Sequence, residues 1–136
     1  MEPKTLCEEL GVGPQLTPEQ MQALAEQGYK SVVNCRPDGE QPGQPTSAEL
    51  EAAAKAAGLG YAHVPTVPGK LGEEQIKGFD KALAELPQPV FSFCKTGMRA
   101  SSLWALCRGP ELGADEVIGK AADAGYDIAA LKPRIG

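Results

Sequence analysis

Aromatic residues and positive charge are both scarce in this sequence, and each shortage excludes a class of protein. Phe, Trp and Tyr make up 5% of the 136 residues, so the core is expected to consist mainly of Ala, Val, Leu and Ile. Thirteen basic residues stand against 18 acidic ones, and the net charge of -5 argues against nucleic acid or an anionic membrane as the main partner. No apolar run approaches the roughly 20 residues that cross a bilayer. The first residues lack the pattern of a secretory signal, so we expect a cytoplasmic globular protein.

Cysteine and histidine are too few and too scattered for a structural metal site. The four cysteines lie far apart without a C-x-x-C pair, which argues against a disulfide scaffold or a zinc site. They are Cys7, Cys35, Cys94 and Cys107. The only histidine, His63, lies in a predicted strand, where a packed or hydrogen-bonded side chain is favoured over a catalytic base. The sequence therefore predicts neither a metal ion nor another cofactor.

Short β-branched runs alternate with longer Ala-rich stretches along the whole chain. The pattern predicts helices over about 17–28, 47–58, 73–86, 100–109 and 114–124, strands over 29–35, 61–65 and 89–94, and one edge strand within 5–16. Strands that alternate with helices imply right-handed crossovers and a largely parallel sheet. No linker or internal repeat divides the chain, so we expect one α/β domain over residues 1–136, with a small, mainly parallel sheet flanked by helices.

The first predicted helix carries recognisable end signals. Thr17 and Gln20 have capping-box spacing, with Thr17 as the N-cap, and Pro18 occupies the first helical position. Gly28 is expected to end the helix. Gly109 and Pro110 are expected to end the fourth helix in the same abrupt way.

The segment that carries chemistry runs from Phe93 to Arg99. An apolar strand delivers Cys94 to the carboxyl end of the sheet, where open α/β folds bind ligands, and a turn containing Gly97 leads directly into a helix. Backbone N–H groups and the helix dipole can converge on an anion in such a turn, and Arg99 adds a bidentate guanidinium. The predicted anion-binding loop consists of Lys95, Thr96, Gly97, Met98 and Arg99.

The field of this loop favours the thiolate of Cys94, which makes Cys94 and Arg99 the candidate catalytic residues. A structural cysteine beside a solvated arginine is the alternative. The succession of strand, glycine-containing turn and helix favours a functional site over that alternative. The side chain of Lys95 is expected to point outward.

Several segments in order resemble one bacterial family, the beta-lactamase-hydrolase-like phosphatases, often labelled sulfurtransferases. The segments are 34–40, 43–45, 63–69, 93–99, 103–105, 124–127 and 131–134. The resemblance covers nearly the whole chain and implies a dual-specificity-phosphatase-like fold with the active loop between the last strand and a helix. It also implies a persulfide dioxygenase or another sulfide-oxidation enzyme as a partner, because some relatives are fused to one or encoded beside one.

The spacing within the loop favours sulfur transfer over phosphate hydrolysis. Four residues separate Cys94 from Arg99, the length found in rhodanese-type sulfurtransferases, whereas cysteine phosphatases of this fold have five. Such phosphatases also use an Asp general acid from the loop after the second strand, and here residues 66–72 contain no carboxylate. Losing that acid costs a phosphatase roughly 10²–10⁴-fold in rate, whereas sulfite leaves thiosulfate as a stable anion.

The sequence therefore predicts a thiosulfate or persulfide sulfurtransferase, with a cysteine-dependent phosphatase as the alternative. Cys94 would take sulfane sulfur from thiosulfate or a small persulfide and pass it to a thiol such as glutathione. A non-catalytic module that binds an anion in the loop is a third hypothesis.

A few positions depart from the family pattern or border the site. Relatives place a hydroxyl directly after the arginine, where this chain has Ala100, so Ser101 or Ser102 would have to substitute. Arg36, Ser101 and Ser102 are candidate rim residues, and Asp38 and Glu40 share the loop of Arg36. Cys35 stands where Asn is expected; a buried small residue is favoured over a resolving thiol. Cys7 and Cys107 are expected to be structural.

Overall fold

The computed structural model describes residues 3–135, which fold as an α/β structure with one five-stranded sheet. The strands are β1 (Lys4–Cys7), β2 (Leu10–Gly13), β3 (Ser31–Asn34), β4 (Gly60–His63) and β5 (Val90–Phe93). The helices are α1 (Gln20–Glu26), α2 (Ser47–Ala56), α3 (Glu73–Glu85), α4 (Met98–Leu112) and α5 (Ala114–Asp123), followed by a 3₁₀ helix over Ala129–Arg134. Among the described residues, no helix combines the length and apolar character needed to cross a bilayer.

The sheet has the order β1-β2-β5-β3-β4, and only β1 is antiparallel to its neighbour. This arrangement confirms the mainly parallel sheet. The N-terminal segment forms two strands instead of the one predicted edge strand. A tight turn at 8–9 lets β1 fold back on β2, so β1 takes the edge and β2 pairs with β5 inside the sheet.

Helices cover both faces of the sheet, because side chains alternate between the faces along each strand. Val32 and Phe91 point to the face covered by α1 and α2, where Leu24 and Leu50 pack against them. The opposite face carries the larger hydrophobic cluster. Val33, Cys35 and Cys94 contribute to it from the sheet and the strand ends. The helices α3, α4 and α5 contribute Phe79, Leu103, Trp104 and Val117. Cys94 therefore lies between the sheet and the three C-terminal helices.

The end signals predicted for α1 are half right. Gly28 follows the helix with φ of +100°, a conformation that glycine adopts without strain. Helix α1, however, begins at Gln20, and the side chain of Thr17 caps nothing. Residues 17–20 form a separate turn in which the N–H of Gln20 donates to the carbonyl of Thr17. Of the two side-chain bonds of a capping box, only the one from the Thr17 N–H to the Gln20 side chain is present.

Helix α4 does not end at Gly109–Pro110, as the sequence predicted, but continues to Leu112. Pro110 lies in the last turn, where its missing N–H removes one bond near an end that frays in any case. The N–H of Gly113 donates to the carbonyl of Gly109 at 2.7 Å, which completes the turn. Helix α4 is thereby long enough to pack against both α3 and α5.

Candidate active site

Cys94 and the turn after it lie at the carboxyl end of β5, the central strand. Strand β5 ends at Phe93, and α4 begins at Met98, so the turn consists of residues 94–97. Gly97 is the N-cap of α4 and has φ of +103°. Glycine is required there for a second reason, because a Cβ at this position would run into the phenol of Tyr126. The chain thus turns sharply enough for the α4 N-terminus to face Cys94.

The sulfur of Cys94 lies at the floor of this loop, where 1% of the residue is exposed. The N–H of Gly97 donates to Cys94 Sγ at 3.1 Å. The sequence predicted a ring of donors over residues 95–99, but the N–H of Met98 instead donates to Thr96 Oγ1 at 3.2 Å. One backbone amide and the N-terminal end of α4 therefore face the sulfur of Cys94.

Arg99 is anchored by its two terminal nitrogens. Nη1 and Nη2 donate to the two carboxylate oxygens of Glu40 at 2.8 and 3.0 Å, and Nη1 also donates to the carbonyl of Thr66 at 2.9 Å. Burial disfavours the charge of Arg99, but the bonds to Glu40 and the proximity of Cys94 outweigh burial and raise the pKa of Arg99. The guanidinium is thus fixed in direction and charged beside Cys94.

Glu40 is shared by two arginines. Besides its bidentate pair with Arg99, it accepts a bond from Arg36 Nε at 2.7 Å. The hydrogen bonds from Arg99 lower the pKa of Glu40, and the one from Arg36 lowers it further. The carboxylate is therefore ionised at neutral pH and serves as an anchor for the arginines, since an acid that protonates a leaving group needs a raised pKa. Two guanidiniums and one carboxylate leave this cluster with a single positive charge.

Arg36 lies beneath the site rather than on its rim, where the sequence analysis had placed it. Only 2% of the residue is exposed. Its Nη1 and Nη2 donate to the side-chain oxygens of Gln15 and Gln41 at 3.0 and 2.8 Å. These bonds, with the one to Glu40, direct every guanidinium nitrogen at the protein. Asp38, on the same loop, accepts from the N–H of Ser47 at the start of α2.

The serines after Arg99 do not replace the missing hydroxyl. Ser101 is buried, and its Oγ donates to the carbonyl of Gly97 at 2.9 Å, one helical turn back. This back-bond is common for Ser in helices and turns the hydroxyl toward the helix backbone. Ser102 is also buried, so neither serine forms a rim. Lys95 is exposed, as predicted, and its carbonyl accepts from the N–H of Gln15 at 3.3 Å.

The other cysteines are packed into the protein. Cys35 follows β3 as Cys94 follows β5, and the two strands are paired in register. It is completely buried, with Sγ 3.3 Å from Ser92 Oγ, and burial raises its pKa to about 12. Burial likewise raises the pKa of Cys107 to about 12 and shifts that of half-buried Cys7 upward. These environments fit the structural thiols that the sequence favoured, and a resolving role for Cys35 stays the untested alternative.

His63 hydrogen-bonds to the carbonyl of Arg36 at 2.8 Å, so its ring ties β4 to the loop that carries Glu40. Within residues 3–135, no group of three or more His, Cys, Asp and Glu side chains is placed to hold a metal ion.

Tyr126 is the residue of the site that sequence reasoning missed. Its O–H donates to the carbonyl of Thr96 at 3.0 Å, although the two residues are 30 positions apart. The pairing of Glu40 with Arg99 was missed as well, because Glu40 was considered only as a loop carboxylate near the pocket. Neither contact can be predicted from the spacing of residues in the sequence, because both join segments that meet only once the sheet has assembled.

The fold and the loop together define a class, that of phosphatase-like α/β domains with a cysteine and an arginine around the turn between the central strand and a helix. The chain belongs to the family described as beta-lactamase hydrolase-like protein, phosphatase-like domain, whose family model matches residues 2–110. This match confirms the resemblance on which the sequence analysis relied.

Individual relatives agree with this assignment. A beta-lactamase hydrolase-like protein from Xylella fastidiosa is 36% identical over 123 residues, which are 89% of this chain but 28% of that protein. The crystal structure of a proposed phosphatase from Neisseria meningitidis has 30% identity and a TM-score of 0.86, covering 96% of this chain and 94% of the other.

PTPMT1 has 19% identity and a TM-score of 0.72, covering 98% of this chain and 92% of the other, and shows the fold alone. These comparisons favour a phosphatase-like enzyme and give no support to the sulfurtransferase that the loop length predicted.

Proposed function

We propose that this protein is a cysteine-dependent phosphatase that hydrolyses phosphoric monoesters with good leaving groups. The observation that carries the proposal is the arrangement at the start of α4, where Cys94 Sγ receives the N–H of Gly97 at 3.1 Å. Beside it, the guanidinium of Arg99 is held by Glu40 at 2.8 and 3.0 Å. The phosphatase-like family and fold support the same reaction.

The reaction follows from these parts. The thiolate of Cys94 attacks phosphorus, the S–P bond forms, and the P–O bond to the leaving group breaks with its electron pair. Arg99 and the N-terminal end of α4 stabilise the charge on the phosphoryl oxygens. Water then attacks the phosphocysteine, which releases inorganic phosphate and restores the thiolate.

The loop after β4 offers no carboxylic acid that could protonate the leaving oxygen. Residues 66–72 contain no carboxylate, and Glu40 is ionised by its two arginines. The leaving group must therefore depart as an anion or take its proton from water. We expect kcat/KM to fall by about 10²-fold or more from 4-nitrophenyl phosphate to phenyl phosphate, a steeper dependence than an acid-assisted enzyme would show.

Sulfur transfer is the second candidate, and the four-residue spacing from Cys94 to Arg99 favours it. A loop that gives the sulfur one amide can hold a persulfide in place of a phosphoryl group. The thiolate of Cys94 would attack the sulfane sulfur of thiosulfate, forming an S–S bond and releasing sulfite. A thiolate such as that of glutathione would then take the outer sulfur and leave as a persulfide, a product that a persulfide dioxygenase would consume.

One paired experiment separates the candidates. Phosphate release from 4-nitrophenyl phosphate and sulfite release from thiosulfate plus glutathione are measured on the wild type, on Cys94→Ser and on the control Cys107→Ser. Cys107 donates to the carbonyl of Ile76 far from the loop, and serine preserves that donor.

Phosphate release that Cys94→Ser abolishes and Cys107→Ser retains supports the phosphatase. Sulfite release with a mass gain of one sulfur atom on Cys94 overturns the phosphatase in favour of the second candidate. Absence of both activities, with sulfate binding retained, contradicts both and leaves an anion-binding module.

A further inference from the structure

Tyr126 comes from the turn after α5 and reaches the active loop from the side opposite Cys94. Its O–H donates to the carbonyl oxygen of Thr96 at 3.0 Å. Its ring lies against Gly97, close enough that a Cβ there would overlap the phenol. The side chain is thus fixed on the loop by one hydrogen bond and one close contact.

The peptide group that accepts the hydrogen bond from Tyr126 is also the one whose N–H donates to the sulfur of Cys94. The carbonyl of Thr96 and the N–H of Gly97 belong to the same peptide group, and this N–H donates to Cys94 Sγ at 3.1 Å. In a trans peptide the C=O and N–H point in opposite directions within one rigid plane. A hydrogen bond that holds the oxygen therefore also holds the direction of the N–H.

We propose that Tyr126 is a positioning residue that acts on Cys94 through the Thr96–Gly97 peptide, by aiming its N–H at the sulfur. The phenol has two effects on this peptide. It prevents the plane from rotating, since rotation would break the bond to the carbonyl. It also polarises the peptide, because a donor on the carbonyl strengthens the N–H as a donor in turn. The inference depends on the proposed function only in taking Cys94 as the nucleophile.

The effect of Tyr126 on Cys94 Sγ is separate from the effects of the other charged or titratable groups near the sulfur. The charged or titratable groups around Cys94 are Arg99 and Lys95 on its own loop, Glu40 behind Arg99, Cys35 at the end of the neighbouring strand, and Tyr126. Burial, and then the charge of Cys94, raise the pKa of Tyr126. The phenol therefore keeps its proton, and remains a donor, throughout the neutral range.

The test uses Tyr126→Phe, which keeps the ring on Gly97 and removes only the hydroxyl. The matched control is Tyr29→Phe, whose ring packs edge-on against Phe91 with centroids 5.7 Å apart, away from the loop. The rate of alkylation of Cys94 by iodoacetamide is followed by mass spectrometry from pH 5 to pH 10. This readout needs no substrate, so it is independent of whether the protein hydrolyses phosphate or transfers sulfur.

We expect Tyr126→Phe to react about two- to fivefold more slowly than the wild type at pH 7, the size of a weakened hydrogen bond to a charged group. The midpoint of the pH dependence should move upward, the plateau at high pH should be unchanged, and Tyr29→Phe should follow the wild type. A profile of Tyr126→Phe that coincides with the wild type overturns the proposal, whatever happens to the melting temperature.

The amide resonance of Gly97 gives a second measurement on the same variants. Loss of the phenol should shift this resonance upfield, because the N–H becomes a weaker donor. An unshifted Gly97 amide in folded Tyr126→Phe contradicts the proposal even if alkylation slows.

Discussion

The carboxylate of Glu40 faces both terminal nitrogens of Arg99, across 59 positions of sequence, at 2.8 and 3.0 Å. This pair joins the loop after β3 to the first turn of α4. A guanidinium anchored along one edge keeps its other edge in a fixed direction, which a flexible surface arginine cannot do. The pair therefore fixes the direction of Arg99 in the candidate site.

The first prediction concerns stability and pH. Glu40→Gln removes the charge that two arginines share, and we expect a loss of about 1–3 kcal/mol in the free energy of unfolding at pH 7, because both guanidiniums lose their ionic partner. The pKa of Glu40 is lowered in the fold, so its contribution is complete above the ordinary value of 4.5 and disappears as the pH falls through the folded value. Urea unfolding at pH 7, 5 and 3.5 measures the difference.

Glu51→Gln is the matched control, since Glu51 pairs with Lys55 on an exposed helix face at 3.3 Å. We expect it to change stability by less than about 0.5 kcal/mol. If the difference in the free energy of unfolding between wild type and Glu40→Gln stays constant down to pH 3.5, the role assigned to the carboxylate charge is contradicted.

The second prediction concerns Arg99→Lys. The three donors of an ammonium cannot keep both bonds to Glu40 and the bond to the Thr66 carbonyl and also bind a substrate oxyanion, so we expect kcat/KM for 4-nitrophenyl phosphate to fall by about 10²–10³-fold. Steady-state kinetics measure the loss. Arg108→Lys, which alters an arginine paired with Asp80 away from the loop, should stay within about twofold of the wild type. Equal effects of the two substitutions would show that the loss is not specific to the site.

The third prediction concerns Gly97→Ala. This substitution places a Cβ at φ of +103° and against the Tyr126 phenol, whereas Gly113→Ala has φ of +98° with no atom within 4 Å of the new Cβ. Both should lose about 1–2 kcal/mol of stability through backbone strain. Only Gly97→Ala should also slow alkylation of Cys94, measured beside thermal melting. Normal alkylation in Gly97→Ala would contradict the tight contact described here.

The fourth prediction concerns the order in which the thiols react. Burial raises the pKa values of Cys35 and Cys107 to about 12, so iodoacetamide at pH 7.5 should label Cys94 before either of them. Tryptic mapping of the labelled protein gives the order. Cys35→Ala should retain activity within about twofold and lose about 1–2 kcal/mol of stability, as a buried small residue does. A large loss of turnover with unchanged stability would instead favour the resolving thiol.

Much of the fold was predictable because it rests on local patterns. The period of the apolar residues located the helices, and the alternation of helices with strands implied the parallel sheet. The N-terminal hairpin was missed because two of the four residues of β2 are glycine, a residue type depleted in strands, and β1 begins with two exposed residues. The continuation of α4 through Pro110 was missed because packing against α3 and α5 outweighs one lost hydrogen bond.

The candidate site also combines residues that local sequence patterns indicate with residues that only the tertiary structure brings together. Cys94, Gly97 and Arg99 could be proposed from the sequence because one strand, one turn and one helix are contiguous there. Arg36 was expected on the rim, yet Gln41 of its own loop and Gln15, 21 positions away, bind it, and only the assembled sheet brings Gln15 there. The contacts of Glu40 with Arg99 and of Tyr126 with Thr96 thus join residues that are far apart in sequence and that meet only in the folded chain.

The position of β5 has a consequence for how the protein loses function. Both of its edges are bonded to parallel strands, β2 on one side and β3 on the other. Amide protons in such a strand exchange with solvent only when the whole sheet opens. Cys94 directly follows β5, so we expect it to keep its position until the sheet opens, and inactivation by heat or urea should coincide with global denaturation instead of preceding it.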